Sequence, residues 1–407
     1  MSPRHRILVL DGHSNPALAC VRSLGRAGHT PLVASHVRHP LGGWSRYCGG
    51  RYWHAGYTLA AYAAVRAWAH REGVTVVLPM SEESCTLCNA ERGAWEALGM
   101  TIGCGSSEML LNAFDKARTF QAAEDCGIRI PPTRFPESLE ECRAAAREVG
   151  FPCVIKPRFS QVWDGSGFRP SPGVAYAATP EALDAAVLKR SRPDCWPLIQ
   201  GFVPGRGIGV FALYDHGRPV AWFAQESLRS VRPMASPNCL RRSIRLEPRL
   251  QAQTERLLDR FQWHGPVMVE LRDDGEDGPW LMEVNGRFWV SLQLAVTAGV
   301  DFPRLWVDLL LGESVEGPTP YQEGVALRWL WGDVKRFAGI VLSGPPPGYP
   351  SPYPTVGQGI RDLLGPQPPN TTLEMWQPDD RLPAVGEVIQ ALRQTAGFLR
   401  RREMGWR

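Results

Sequence analysis

Short apolar runs separated by amphipathic stretches dominate the first hundred residues of the chain. Three of these runs predict buried strands, at residues 7–10, 31–34 and 74–78. Between the first two, Pro16 to Arg26 has the pattern of a helix, for which Asn15 is the predicted N-cap. A further helix is predicted from Ser81 to about Leu98. Strands that alternate with helices predict an α/β unit built on a parallel sheet.

The pattern changes near Asn112–Lys116, after which strands and helices no longer alternate regularly. Predicted strands lie at residues 153–156, 198–202, 208–214, 219–224, 266–271 and 280–284. Predicted helices span residues 115–126, 138–149 and 250–261, and two more begin at residues 291 and 302. Irregular chain is predicted at residues 130–133 and 158–172, and a hairpin turn at Asp215-His216-Gly217. This part is predicted to be α+β. Residues 315–407 are Pro- and Gly-rich around 344–369 and end in a predicted basic helix over 387–402.

Composition narrows the classes of protein that fit this pattern. Hydrophobic residues make up 44% and charged residues 21% of the chain, which is typical of a globular enzyme. The net charge of +4 indicates no general surface for nucleic acid, and no apolar run reaches the ~18 residues of a membrane span. We therefore expect a cytoplasmic protein with neither a nucleic-acid nor a membrane partner. A dinucleotide-binding GxGxxG is absent after the first strand, which argues against hydride transfer.

Lysine is rare in this chain. Lysine and arginine together number 45, and the four lysines are Lys116, Lys156, Lys189 and Lys335. An ammonium is a compact point charge that the planar guanidinium of arginine does not replace. Lys116 and Lys156 are therefore candidates for contact with phosphate, and chance survival of a lysine remains the alternative.

Three oxygen donors stand inside two predicted strands. Glu270 lies among apolar residues in the first, and Glu283 and Asn285 are two apart in the second, so they point to one face. A buried acid in a strand is costly unless it is paired or bound to metal. Two carboxylates and an amide oxygen suit Mg²⁺, which usually shares its shell with phosphate oxygens. Arg287 continues this face and is predicted to stabilise a transferred phosphate.

Two further groups are candidates for substrate contact. Ser81 and Glu82 follow a predicted parallel strand, where ligands usually bind, although a helix N-cap with a first-turn acid is the alternative. Four arginines surround a predicted loop and could bind a substrate carboxylate or the γ-phosphate, namely Arg229, Arg232, Arg241 and Arg242. For these the alternative is a solvated, arginine-rich loop.

These residues together resemble the ATP-grasp superfamily, over roughly residues 1–315. Asp115-Lys116 is similar to the start of that fold with its first ATP lysine, and Val154-Ile155-Lys156-Pro157 is similar to the strand with the second. The segment 199–205 resembles the hinge strand whose backbone holds adenine, which implies ATP contacts from Gln200, Gly201 and Val203.

The metal ligands of the superfamily match Glu270, Glu283 and Asn285, with Arg287 behind them. Residues 209–213 and 285–289 resemble a bacterial subgroup of predicted ATP-dependent carboligases.

The resemblance implies an ATP-grasp fold with an N-terminal, Rossmann-like preATP-grasp domain. The implied boundaries are 1–112 for that domain, 113–197 for the central A subdomain, 198–315 for the C-terminal B subdomain with the metal site, and 316–407 for an extension that packs on the core.

The resemblance also implies a carboxylate–amine ligase. ATP would phosphorylate a carboxylate to an acyl-phosphate, and an amine would attack it to form an amide, ADP and phosphate. Two Mg²⁺ ions, for which Mn²⁺ can substitute, would bind at the three oxygen donors, and Arg287 and Arg242 would act in catalysis. We expect small-molecule carboxylate and amine substrates, a role in natural-product biosynthesis, and the homodimer common in the superfamily.

Two rival functions remain open at this point. An ATP-dependent carboxylase or kinase on the same fold would release ADP with bicarbonate or an alcohol and without an amine. A non-catalytic, ATP-binding regulatory protein would bind the nucleotide without turnover. Both candidate lysines and all three candidate metal ligands are present, which argues against the regulatory protein.

Overall fold

The computed structural model describes residues 4–191, 195–232, 235–276, 278–318 and 320–403 of the chain, without the side chains of residues 170, 235–236 and 393–403. In the described residues, three sheets follow one another along the sequence, and a separate two-stranded hairpin lies between two strands of the second sheet. Within the described residues, no helix has both the length and the apolar character that crossing a bilayer requires.

The first sheet is parallel and has the strand order β3-β2-β1-β4-β5. Its elements are β1 (Arg6–Val9), α1 (Asn15–Arg26), β2 (Thr30–Ser35), a 3₁₀ turn (Leu41–Trp44), β3 (Gly50–Trp53), α2 (Leu59–Arg71), β4 (Val74–Leu78), α3 (Glu82–Ala90), α4 (Arg92–Glu96) and β5 (Thr101–Ile102). The α/β opening predicted from the alternating pattern is confirmed.

Two local predictions in this region are wrong. The N-cap of α1 is Ser14 and not Asn15, because the hydroxyl of Ser14 accepts from the backbone N–H of Ala17. The single helix predicted up to Leu98 is divided into α3 and α4 at Glu91, whose backbone leaves the helical conformation.

The second sheet has four short strands in the order β10-β7-β11-β6, and its neighbouring strands are antiparallel. The elements of this part are α5 (Ser107–Phe114), α6 (Lys116–Asp125), β6 (Thr133–Arg134), α7 (Leu139–Val149), β7 (Cys153–Lys156), β8 (Gln161–Trp163), β9 (Phe168–Pro170), β10 (Ala175–Ala177), α8 (Pro180–Leu188) and β11 (Leu198–Gly201). Thr133 therefore belongs to a strand, where the sequence predicted a break.

The stretch 158–172, predicted to be irregular, contains the hairpin of β8 and β9. Its turn is stabilised by Asp164, whose Oδ1 accepts from the backbone N–H groups of Ser166 and Gly167 at 3.0 Å each. The rings of Trp163 and Phe168 lie 4.7 Å apart across the strand ends. Each strand has only three residues, which is too short for a periodic signal in the sequence.

The third sheet has seven strands in the order β16-β15-β12-β13-β14-β17-β18. The elements are β12 (Arg206–Asp215), β13 (Arg218–Arg232), β14 (Ala235–Ser243), α9 (Pro248–Arg260), β15 (Gly265–Asp273), β16 (Trp280–Asn285), α10 (Leu292–Thr297), α11 (Phe302–Leu310), β17 (Ala326–Arg328), α12 (Leu330–Leu342), α13 (Val356–Leu364), β18 (Thr371–Leu373) and α14 (Leu382–Glu403). The predicted turn at residues 215–217 joins β12 to β13.

The loop predicted around residues 229–242 is wrong, because these residues lie largely in the paired strands β13 and β14. The strand predicted at 219–224 extends to Arg232. The C-terminal segment continues the same sheet, since β17 pairs with β14 and β18 pairs with β17. Part of the predicted extension is therefore built into the main sheet.

Candidate active site

Two acids face each other across the antiparallel strands β15 and β16. The register pairs Glu270 with Glu283, and Met268 with Asn285. Residues in register share a face of the sheet, as do residues two apart in one strand. Glu270, Glu283 and Asn285 therefore project from one face, and the two predicted strands that carry them are neighbours in the sheet.

This acid pair, Glu270 and Glu283, is under electrostatic strain. Like charges directly opposite on neighbouring strands destabilise a sheet. Burial raises the pKa of Glu270, and the charge of Glu283 raises it further. The Nζ of Lys116 lies 4.0 Å from Oε1 of Glu283. Two carboxylates with the amide oxygen of Asn285 beside them form a set of hard oxygen donors that fits Mg²⁺.

Lys116 is positioned by a clamp at the start of α6. Asp115, the N-cap, accepts from the backbone N–H of Ala117 at 3.0 Å. The two carboxylate oxygens of Asp115 also accept from Nε and Nη2 of Arg158, each at 2.7 Å. The clamp ties the helix start to the segment after β7 and leaves Lys116 only 7% exposed. No sequence pattern predicted this role for Asp115 and Arg158.

Lys156, at the end of β7, approaches the acid pair from the second sheet. Its Nζ donates to Oε1 of Gln200 at 2.7 Å, and Nε2 of Gln200 donates to Oγ1 of Thr133 at 2.8 Å. Burial lowers the pKa of Lys156 to about 8, while Glu283 raises it and Lys116 lowers it. Both rare lysines therefore lie within electrostatic reach of the same carboxylate.

The predicted hinge residues lie at the end of β11. Gln200 is fully buried and binds Lys156, and the backbone N–H of Gly201 donates to the carbonyl of Pro132 at 2.8 Å. Val203 follows the strand and is 8% exposed. The N–H of Gly201 is thus engaged within the protein, and adenine contacts by these residues stay a prediction.

Arg287 links the metal-ligand candidates to the first sheet. Its Nη2 donates to Oδ1 of Asn285 at 3.2 Å and lies 3.8 Å from Oε1 of Glu82. Glu82 is the first residue of α3, which follows the carboxyl end of β4, where parallel sheets usually bind ligands. Burial raises the pKa of Glu82 and the charge of Arg287 lowers it. The structure brings these two predicted residues together.

Comparison with known proteins identifies the fold. Residues 220–332 match the family described as ATP-grasp in the biosynthetic pathway with Ter operon. The structure superposes on biotin carboxylase from Campylobacter jejuni with a TM-score of 0.63 at 14% identity, covering 79% of this chain and 74% of that one. N5-carboxyaminoimidazole synthetase from Staphylococcus aureus gives a TM-score of 0.62 at 12% identity, covering 80% and 82% of the two chains.

The chain has the ATP-grasp fold of these structures, and its residues 220–332 resemble an ATP-grasp family. The ATP-grasp fold expected from the sequence is thereby confirmed. Among curated relatives, D-alanine–D-alanine ligase from Ectopseudomonas mendocina is 30% identical over 218 residues, 50% of this chain and 66% of the relative. Formate-dependent phosphoribosylglycinamide formyltransferase from Azotobacter vinelandii is 31% identical over 143 residues, 35% of this chain and 34% of the relative. The chain thus spans less than two thirds of the length of these curated relatives.

Arg242 does not lie with the metal-ligand candidates. In the register of the sheet, Arg242 lies opposite Glu226 on β13, and Glu226 lies opposite Ile208 on β12. Glu270 is in register with Gly209, and consecutive residues of a strand point to opposite faces. Nε and Nη2 of Arg242 donate to Glu226 on the far face of the sheet from Glu270. The catalytic role predicted for Arg242 is corrected to an ion pair within the sheet.

Arg229 and Arg241, predicted to bind substrate, hold the C-terminal segment of the chain. Nε and Nη2 of Arg229 donate to the two oxygens of Asp333 at 2.7 and 2.8 Å. Arg241 is fully buried and pairs with Glu374. Both acids come from the predicted extension, so we correct the interpretation of these arginines to structural residues.

Ser81 is a capping residue, which was the alternative that the sequence left open. Its Oγ accepts from the backbone N–H of Ser84 at 3.1 Å, and Oγ of Ser84 accepts from the N–H of Ser81 at 3.0 Å. The hydroxyl of Ser84 donates to Oδ2 of Asp11 at 2.7 Å. This capping box orients the first turn of α3 and with it Glu82.

Arg272 is a cation that sequence reasoning missed. It lies two residues after Glu270 on β15, and its Nη1 donates to the carbonyl of Gly205 at 3.1 Å. Burial raises the pKa of Glu270, and the charge of Arg272 counteracts that effect. The period of two along a strand is the signal that would have found it, because residues i and i+2 share a face.

Proposed function

We propose that this protein is an ATP-dependent ligase that activates a carboxylate as an acyl-phosphate and joins it to an amine. ADP and phosphate are the other products. The observation that carries the proposal is the acid pair with Asn285, approached by Lys116 from α6 and Lys156 from β7. We further propose that ATP and two Mg²⁺ ions bind here, with Mn²⁺ able to substitute.

The donor set fits a divalent cation because two carboxylates stand opposite each other with an amide oxygen beside them. Glu270 and Glu283 oppose each other directly, and burial disfavours the charged form of Glu270. Bound magnesium supplies positive charge that neutralises phosphate oxygens during phosphoryl transfer. Asn285 adds a neutral oxygen, so the set carries two negative charges rather than three.

The side chains around the acid pair supply the remaining parts of the chemistry. Lys116 and Lys156 present point charges to phosphate oxygens. Arg287 bonds to Asn285 and is placed to hold the substrate carboxylate and then the acyl-phosphate oxygens. The other contribution is the positioning of two substrates against each other. The two curated relatives are named a ligase and a formyltransferase, and the first name agrees with this reaction class.

The test uses the full-length protein and two readouts. Mg²⁺-dependent binding of ATP is measured by calorimetry, and ADP release is measured with pools of carboxylic acids and amines. Glu283→Gln is expected to reduce ADP release by at least about 100-fold, since even substitutions behind a metal ligand cost about 10–100-fold. Glu247→Gln, an exposed acid before α9, is the matched control.

Unchanged Mg²⁺-dependent ATP binding in Glu283→Gln would overturn the proposed site. ADP release that requires bicarbonate and no amine would replace the ligase with a carboxylase. The family description places its relatives in a biosynthetic pathway, and we propose natural-product biosynthesis for this chain too. The cytoplasmic location and the homodimer stay predictions, which cell fractionation and light scattering check.

A further inference from the structure

A cavity of about 370 Å³ lies between the first sheet region and the β8–β9 hairpin. This volume is within the about 300–1,000 Å³ that is usual for small-molecule sites. Helix α5 and the hairpin segment supply most of its walls, which are apolar and largely aromatic: Leu110, Leu111, Phe114, Phe159, Trp163 and Phe168. The cavity is therefore suited to a large apolar group.

Its polar end adjoins the proposed ATP site. Among the described residues that line the cavity, Glu82 alone is charged. The side chain of Glu82 is 11% exposed, and its Oε1 lies 3.8 Å from Nη2 of Arg287. Arg287 in turn bonds to Asn285 beside the acid pair. A ligand in the cavity thus lies beside the carboxylate of Glu82. The guanidinium of Arg287 lies beyond that carboxylate, on the side of the metal-ligand candidates.

We propose that the cavity binds an amino acid with an aromatic or other large apolar side chain, and that this amino acid is the carboxylate substrate. The inference rests on the proposed ligase function. The ammonium group pairs with Glu82, the carboxylate pairs with Arg287, and the side chain packs on Trp163 and Phe168. An ammonium held by a carboxylate stays protonated and is a poor nucleophile, so the attacking amine comes from a second substrate.

The hairpin makes the cavity most favourable for aromatic groups. Trp163 and Phe168 have ring centroids 4.7 Å apart, and Phe168 meets Tyr57 of the first region edge to face at 6.4 Å. An aromatic side chain bound here makes favourable ring contacts with this cluster, in addition to the free energy gained by burying its apolar area. A small side chain leaves the aromatic walls without contact.

The experiment uses the full-length protein with Mg·ATP and hydroxylamine, which converts an acyl-phosphate to a hydroxamate whatever the natural amine is. Both enantiomers of phenylalanine, tryptophan, leucine and alanine are offered, together with 3-phenylpropanoate, which lacks the amino group. The aromatic amino acids are expected to exceed alanine and 3-phenylpropanoate by at least about 10-fold in kcat/KM. Binding of phenylalanine alone is measured by calorimetry.

Two variants separate the parts of the proposal. Glu82→Gln is expected to raise KM for phenylalanine at least about 10-fold and to leave KM for 3-phenylpropanoate unchanged. The reason is that only phenylalanine has an ammonium group that pairs with Glu82. Leu111→Trp fills the cavity and is expected to shift preference from phenylalanine to alanine. Leu111 is 37% exposed, so the fold tolerates this change, and Leu98→Trp, at 38% exposure outside the cavity, is the control.

The outcomes distinguish this inference from the proposed function. Turnover of other carboxylic acids with no turnover or binding of apolar amino acids overturns the inference and leaves the ligase intact. An equal effect of Glu82→Gln on phenylalanine and 3-phenylpropanoate also overturns it. Absence of Mg²⁺-dependent ATP binding by the unmodified protein overturns the proposed function itself, while calorimetry still reports whether the cavity holds phenylalanine.

Discussion

Two groups of charged side chains in the seven-stranded sheet differ in how completely their charges are matched. In the acid pair, Glu270 and Glu283 oppose each other, and the ion pair of Glu283 with Lys116 spans 4.0 Å. At the other end of the sheet, Arg241 pairs with Glu374 in the interior. A buried pair of opposite charges is costly to break, whereas two opposed carboxylates form a donor set for a metal cation. Charge matching therefore separates the candidate site from the structural ion pairs.

Removing one acid of the opposed pair is expected to cause the largest loss of activity and, at the same time, a small gain in stability. Glu270→Gln should reduce ADP release at least about 100-fold, because a proposed metal ligand is lost. It should also raise the free energy of unfolding in metal-free buffer by about 0.5 kcal/mol, since a like-charge contact disappears. Turnover assays and urea denaturation measure the two quantities. A loss of stability without a loss of turnover would make Glu270 a structural residue.

The matched pair is expected to respond in the opposite way. Glu374→Gln leaves the guanidinium of Arg241 buried without its partner, which should cost about 3–5 kcal/mol of unfolding free energy. ADP release per folded molecule should stay unchanged. The double variant Arg241→Met with Glu374→Leu should recover most of the loss, because apolar residues can replace a buried pair.

Urea denaturation checks these two stability values, with Glu316→Gln, an exposed acid, as the control. If Glu374→Gln and Glu316→Gln lower the unfolding free energy equally, the buried pair does not anchor the C-terminal segment.

A smaller effect is expected from pH, through an acid that attaches α14. Glu387 accepts from Nε1 of Trp329, and burial raises the pKa of Glu387 to about 7. The unfolded chain binds this proton only below about pH 4.3. The folded state therefore holds the proton more strongly than the unfolded chain does. The stability that this proton adds is fully present below about pH 4.3 and is lost as the pH rises through about 7.

The thermal midpoint should accordingly fall between about pH 5 and pH 7.5, and Glu387→Gln should flatten that part of the profile. Differential scanning calorimetry across this range measures it. Parallel profiles for Glu387→Gln and the unmodified protein would contradict the assignment.

The smallest effect is expected at Ser81, next to a residue of the proposed substrate site. Ser81→Ala removes the N-cap of α3 and should cost about 1 kcal/mol of stability. Turnover should change far less than in Glu82→Gln, because the hydroxyl of Ser81 serves the helix. Steady-state kinetics of both variants measure the difference. A larger loss of turnover in Ser81→Ala would restore Ser81 as a substrate contact.

Regular elements with a strong local pattern were predictable. β4 and β7 have the predicted bounds, because buried strands appear as continuous apolar runs. The pairing of the strands that carry Glu270 and Glu283 was also predictable, since both flank a short polar loop. The hairpin of β8 and β9 was not, because three-residue strands show no period and its aromatic residues pack on another part of the chain.

The arginines gave the clearest failure of local reasoning. Arg229, Arg241 and Arg242 look alike in sequence, and all three were predicted to bind a ligand. Their partners Asp333 and Glu374 lie 104 and 133 residues away from Arg229 and Arg241. Arg242 pairs with Glu226 on the neighbouring strand, and only the register shows which face it occupies.

The sequence by itself determined the residue types of the candidate site and their spacing along two strands, because side-chain direction in a strand depends only on alternation. It also determined that the chain has only four lysines. Only the tertiary structure decided which charges are matched, that Glu82 reaches Arg287, and that a cavity opens beside them. Charge matching and cavity shape depend on distances through space between distant segments, and no local pattern encodes those distances.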